Sequence, residues 1–167
     1  MTAELQLFVR PATHADLDRI RAIYNAGIED RVATLEANPK SREDIARWWA
    51  DHDARYAIVV ATVAGQIVGW ASLNRFSARD AHAGIADLSV YVDREWRCKG
   101  VGRRLLADLV AAAADRSFHK IVLHALHSNE AGKSLYRRCG FEQVGVFRRH
   151  GRLDGEFLDV VAMELLL

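Results

Sequence analysis

The chain has 167 residues, half of them apolar and 27% charged, with a formal net charge of +1. That length suffices for one domain burying roughly 70% of the surface its unfolded form exposes, and the composition is that of a folded globular protein, not a disordered one. The near-neutral balance offers no field for a nucleic-acid backbone, and charges interrupt every apolar run before the roughly 18 residues of a membrane span, so nucleic acid and membrane are both excluded as expected partners. Cys98 and Cys139 stand far apart and outside metal-ligand spacing. Neither a disulfide framework nor a zinc site is expected, and reduced thiols point to the cytoplasm. The opening residues Met1 to Glu4 carry no basic region leading into an apolar run, so no secretory signal is expected there.

Leu5, Leu7 and Val9 alternate with polar neighbours up to Pro11 and predict a first strand. Thr13 and Asp16 stand at capping-box spacing, with aspartate where glutamate is usual, and Leu17, Ile20, Ile23 and Tyr24 recur at helical spacing until Gly27. Asn25 to Asn38 lacks periodicity and predicts a loop, after which Ser41 and Asp44 open a second helix through Ile45, Trp48 and Trp49. Tyr56 to Val63 and Gln66 to Leu73, parted by Ala64-Gly65, predict an antiparallel hairpin. Beyond an irregular charged segment, Asn74 to Ala83, a strand is predicted over Ile85 to Val92 and an alanine-rich helix over Gly102 to Ala114. A strand over Lys120 to Leu126 and a short helix over Glu130 to Cys139, stopped by Gly140, come next. Glu142 to Arg148 and Phe157 to Leu166 predict a closing antiparallel pair joined by a long turn over 149–156. This order predicts an α/β (α+β) fold in a single domain, 1–167: a mixed, mostly antiparallel sheet flanked by helices, with one parallel crossover near its middle.

The most informative segment is Arg97-Cys98-Lys99-Gly100-Val101-Gly102, between the central strand and the alanine-rich helix. Glycines there remove the Cβ atoms that would block a ligand, and successive backbone N–H groups at a helix N-terminus form a positive nest for phosphate oxygens. Arg97, Lys99, Arg103 and Arg104 add charge. Taken alone, a Gly-x-Gly reads as a tight turn as well as a phosphate site.

With its flanks the segment resembles the signature Arg/Gln-x-x-Gly-x-Gly/Ala of the GNAT N-acetyltransferases, whose loop cradles the pyrophosphate of acetyl-CoA. The resemblance implies the GNAT acyl-CoA N-acyltransferase fold, acetyl-CoA as cosubstrate and no metal. It assigns cofactor contacts to Arg97, Cys98, Lys99, Gly100, Val101, Gly102 and Arg103, and main-chain contacts to Val90, Tyr91 and Val92 on a splayed strand. Asn129 to Tyr136, followed by Cys139-Gly140-Phe141, is similar to the family's second motif. That match implies that Asn129 and Ser134 touch the cofactor and that Tyr136 sits beside its sulfur as general acid; packing of the helix on the sheet is the alternative role for Tyr136.

Three further stretches, Ile23 to Thr34, Ser89 to Val92 and Arg148 to Gly155, are similar to the phosphinothricin acetyltransferases and, more closely, to the arsinothricin-resistance N-acetyltransferases. Those enzymes acetylate the α-amine of glutamate analogues and work as homodimers, which implies an amino-acid-like small-molecule amine as substrate and a homodimer here. The family's base, a glutamate three positions before the splayed strand, has Asp87 as its counterpart. Aspartate is shorter, with an ordinary pKa near 3.9, so a raised pKa or a water relay is required; a solvated strand residue is the alternative. Arg75 and Arg79 are the candidate clamps for an anionic substrate, Arg79 alone having a counterpart in the family, and either can equally be a solvated loop charge. Glu29, Arg31 and Thr34 are candidate pocket or dimer residues, and His150 a lid or partner contribution, or else an exposed hairpin histidine. Direct transfer in a ternary complex needs no enzyme nucleophile, so Cys98 reads as a tolerated loop residue. Two rival readings stay open: a GNAT enzyme for a polyamine, an antibiotic or a protein N-terminus, and a non-catalytic acyl-CoA-binding domain.

Overall fold

Reciprocal caps start both helices on the N-terminal side. The computed structural model describes residues 6–167, so Leu5 and the Met1 to Glu4 segment lie outside it. After strand β1 (Leu7–Pro11), Asp16 accepts from the backbone N–H of Thr13 at 2.7 Å and is gripped by Arg10 through two bonds of 2.7 and 2.9 Å. Helix α1 (Leu17–Glu29) follows that one-turn lead-in. It runs two residues past Gly27, near which its sequence predicts the end. Gly27 is a packing residue instead, because a Cβ there would meet the Tyr91 ring at 2.9 Å. Helix α2 (Arg42–Ala50) is opened by Ser41 and Asp44, each bonding the other's backbone N–H.

Strands β2 (Ile58–Val63) and β3 (Gln66–Arg75) form the predicted hairpin, with Ala64 and Gly65 both at positive φ, 49° and 79°. That turn matches the right-handed twist of its strands. β3 outlasts its prediction by two residues, because Asn74 and Arg75 pair with Asp87 and Ala86 of β4 (Ile85–Val92). Helix α3 (Val101–Asp115) crosses over to β5 (Lys120–Leu126), and α4 (Glu130–Arg138) precedes β6 (Glu142–Leu153) and β7 (Glu156–Leu166). The long turn expected over 149–156 is corrected to a two-residue one, Asp154-Gly155, at φ of 50° and 85°. Thus β6 continues through His150.

The described residues form one seven-stranded sheet in the order β1-β2-β3-β4-β5-β7-β6, antiparallel except at β4–β5. Helix α3 buries Val101, Leu105, Leu106 and Leu109 on one face, and Gly69 of β3 admits it: a Cβ there would lie 3.0 Å from Val101. Helices α1 and α2 cover the other face, packing Ile20, Ile23 and Ile45 against Val60 and Trp70. Among the described residues no helix is long and apolar enough to cross a membrane.

Candidate active site

The parallel junction in the middle of the sheet is short. β4 and β5 pair over only three positions, ending at Asp87 opposite Val122, after which the two strands part. Into the parting opens a cavity of about 920 Å³, walled by Leu88 to Val92 on one side and His124 to Leu126 on the other. The 97–103 loop, α4 and the segment Val32 to Leu35 complete its lining. Alternation along β4 turns Leu88, Val90 and Val92 toward α3 and Asp87, Ser89 and Tyr91 toward α1. Tyr91 is pinned there, stacked on Trp70 at 5.0 Å and against Tyr24 at 4.7 Å, and burial pushes its phenol above its ordinary value.

At the loop, Cys98 (φ 59°) and Gly100 (φ 84°) both adopt left-handed backbone, and α3 starts at Val101. This bend gathers N–H groups at a helix N-terminus, where none has an intrahelical acceptor, into an anion-binding concavity. Holding a non-glycine residue in that conformation costs about 1 kcal/mol. Gly102 serves proximity: a Cβ would lie 2.8 Å from Leu135 of α4. Arg97 faces the cavity while bonding Asp30 at 2.6 Å and the Val92 carbonyl at 3.2 Å. Asp30 is held below its usual range by Arg94 and Arg97. Arg103 lines the cavity, whereas Arg104 pairs with Asp108 at 2.8 Å. Lys99 lies off the wall with its ammonium 5.1 Å from the Trp96 ring, and Val101 is 2% exposed in the core, so neither predicted side chain reaches the cavity.

On α4, Asn129 caps the helix by accepting from Gly132 N–H at 2.9 Å, and Ser134 and Tyr136 line the cavity beside it. Burial pushes the Tyr136 phenol well above its ordinary value, so it stays protonated at neutral pH. Arg138 is a lining residue that sequence reasoning missed.

Asp87 is central to a polar row on the α1 face. Asn74 Nδ2 lies 3.5 Å from Asp87 Oδ2 and 3.0 Å from Ser89 Oγ, while His124 Nδ1 stands 3.7 Å from Asp87 Oδ1. Asn74 is itself fixed by Ser72 Oγ at 2.9 Å and His52 Nε2 at 3.1 Å, and His52 Nδ1 meets the Trp48 carbonyl at 2.7 Å. None of Asn74, Ser89 and His124 was singled out from sequence. The available signal was His124 as the one polar residue inside the apolar run Ile121 to Leu126.

The candidate substrate residues divide. Thr34 is in the cavity wall, its Oγ1 accepting from Glu36 N–H at 3.1 Å. Glu29 pairs with Arg94 at 3.2 Å, and Arg31 pairs with Asp154 at 3.1 Å while donating to the Glu36 and Ala37 carbonyls, so both tie loops together away from the wall. Arg75 next to Asn74 in β3 points to the opposite face from Asp87. Arg79 is exposed before a short turn over Asp80–His82 that leads into β4. His150 sits on β6 with its ring stacked on Phe147 at 4.6 Å, outside the lining. A second hollow of about 470 Å³ near β1 and α2 holds none of the predicted site residues. No cluster of metal-ligating side chains occurs among the described residues.

These features have counterparts in known proteins. Residues 20–141 match the Acetyltransferase (GNAT) family. A phosphinothricin N-acetyltransferase of Streptomyces coelicolor is 33% identical, with 98% of this chain and 96% of the relative covered. An L-methionine sulfoximine/L-methionine sulfone acetyltransferase of Pseudomonas aeruginosa is 35% identical, with 95% and 94% covered. Among solved structures, a GNAT superfamily phosphinothricin acetyltransferase from Sinorhizobium meliloti in complex with AcCoA superposes with a TM-score of 0.92 at 30% identity, covering 96% of this chain and 88% of that one. A ribosomal-protein-alanine N-acetyltransferase from Brucella melitensis also gives 0.92, at 33% identity, with 96% and 99% covered. A parted central strand pair beside a glycine loop at a helix N-terminus, on a chain this similar over nearly its whole length, leads to one statement: the chain belongs to the GNAT acetyltransferase family.

Proposed function

We propose that the chain transfers the acetyl group of acetyl-CoA to the α-amine of a small anionic amino acid of the phosphinothricin, methionine sulfoximine or arsinothricin type, by direct transfer within a ternary complex. The observation that carries this reading is the continuity of one cavity from the loop at the start of α3 to the carboxylate of Asp87. The residues fit acetyl-CoA: left-handed backbone at Cys98 and Gly100 aims N–H groups outward for a pyrophosphate, with Arg97 and Arg103 beside them. The unpaired flank of β4 from Leu88 to Val92 suits the amides of a pantetheine. When bound, acetyl-CoA supplies an activated acyl carbon.

This chain's residues supply the rest. N–H groups of β4 near Val90 stabilise the negative charge that develops on the carbonyl oxygen. Tyr136, kept protonated by burial, donates to the departing sulfur. The amine arrives as an ammonium, and the negative charge of Asp87 favours moving its proton into the polar row, an aspartate alone being a weak base at neutral pH. Of the two arginines proposed as clamps, Arg75 faces away, and Arg79 stands exposed outside the cavity wall, so as a clamp it would meet the substrate only from the rim. The names of the relatives support the substrate class. The molecule works as a homodimer in the cytoplasm, a reading supported by the exposed apolar side chains of β6 and by two free cysteines.

Release of free CoA thiol tests this. The purified protein is given acetyl-CoA with phosphinothricin, methionine sulfoximine or a peptide beginning with alanine. Saturable release with either amino acid supports the proposal. Release only with the peptide transfers the site to protein N-termini, the reading that the Brucella melitensis structure favours.

A further inference from the structure

Where β4 and β5 part, the sheet presents two titratable side chains on one face. Asp87 belongs to the last β4–β5 pair, with Val122, and His124 is the next residue of β5 whose side chain points as Val122 does. Both line the cavity, with 3.7 Å between Asp87 Oδ1 and His124 Nδ1. The carboxylate is held from its other side by Asn74, itself fixed by Ser72, Ser89 and His52. An ordinary aspartate, near 3.9, retains a proton poorly at neutral pH, whereas an ordinary imidazole, near 6.5, is matched to the task.

We propose that His124 is the base that takes the proton from the attacking amine, while Asp87 orients the ring and stabilises the imidazolium. The assignment rests on the acetyl-transfer reading above. The nitrogen–carbon bond forms and the carbon–sulfur bond breaks; of the two protons the ammonium sheds, the first goes to His124 Nε2 before attack, and the second, leaving the nitrogen as the sulfur departs, replaces through water the proton that Tyr136 gives to the sulfur. His124 then releases the proton to water, which its side chain, 41% exposed, reaches directly. The arrangement is that of an aspartate behind a histidine, with the substrate amine in place of an enzyme nucleophile.

The groups around His124 leave Asp87 as its partner. From its own strand comes Lys120, paired with Glu164 of β7, and Glu142 of β6 stands opposite Glu164. Ala162 of β7 is opposite His124 itself. From β6, the Phe147 ring lies 6.2 Å away, with His150 stacked on it.

The test compares His124→Ala and His124→Gln with the wild type on an amine the wild type acetylates. Both variants are expected to lose about 100-fold in kcat and to bind acetyl-CoA as before. Added imidazole restores rate to His124→Ala alone. The fall in wild-type kcat on the acid side, where the base becomes protonated, disappears in both variants. A packing role moves neither the rescue nor the pH limb. Wild-type kcat in either variant, or a loss that imidazole does not repair and that leaves the acid limb in place, overturns the dyad. Wild-type protein that binds acetyl-CoA and acetylates no amine overturns the transfer reading, and the dyad with it; the wild-type rate tells the two failures apart.

Discussion

On the proposed reading, Tyr136 gives its proton to the sulfur from a buried position. Burial raises the phenol, and the same low-polarity environment disfavours a naked thiolate beside it, so transfer between them is less uphill than in water. Tyr136→Phe is expected to lower kcat by about 10- to 100-fold and to leave acetyl-CoA affinity unchanged, as steady-state kinetics and calorimetry would report. Asp16 uses its charge for the fold instead. Its carboxyl lies below the ordinary value chiefly because Arg10 hydrogen-bonds it, with burial opposing and Thr13 N–H assisting. A carboxyl depressed in the folded state adds stability that is present above its unfolded pKa, about 3.9, and is lost as pH falls through the lower folded value. Asp16→Asn should therefore cost about 1–2 kcal/mol at pH 7, measured by urea unfolding, and the gap from wild type should narrow below about pH 4. Motif spacing singled out two glycines that the structure uses in different ways, Gly100 at a left-handed φ and Gly102 in close contact with Leu135. The Lys99 and Val101 side chains lie off the cavity wall, a direction that motif spacing does not encode and that leaves their backbone N–H groups in the loop.

At the scale of elements, alternation and capping were sufficient to find each strand and helix, and failures came where the physical signal is absent. β6 was cut short because it is an edge strand with little of its surface buried, so nothing demands apolar alternation through Arg148 to Arg152. Gly27 looked like a helix stop because a glycine's role in packing depends on its neighbour, here a tyrosine from β4. That contact makes a prediction. Gly27→Ala would gain up to about 1 kcal/mol of helix propensity, but the Tyr91 ring, held between Trp70 and Tyr24, has no room to yield. Overpacking at about 1–3 kcal/mol wins, so thermal unfolding should shift downward, and acetyl-CoA should bind more weakly as β4 is displaced. The polar row of Asn74, Asp87 and His124 was invisible for a different reason. It exists only once β3, β4 and β5 lie side by side in a particular register, which no local pattern encodes.

For the whole molecule, the outer edge of β6 is the exposed end of the sheet, with Val144 at 63% and Phe147 at 47% exposure. An edge of that kind invites a partner. Light scattering is expected to give twice the chain mass, and Val144→Lys to give the single chain with its fold intact by circular dichroism. The meeting of β4 and β5 has a mechanical meaning as well. Among the described residues, three residue pairs clasp β1–β4 to β5–β7 within the sheet. On the proposed reading, the unpaired backbone of β4 and β5 along the seam would hold the donor's amides, which would supply there the bonding that the two half-sheets do not give each other. The donor is then a structural member as much as a reagent. The loaded enzyme is at its stiffest, and discharge of the spent donor requires the half-sheets to give up a shared strand, so turnover can be paced by the reopening of a seam without any lid to lift.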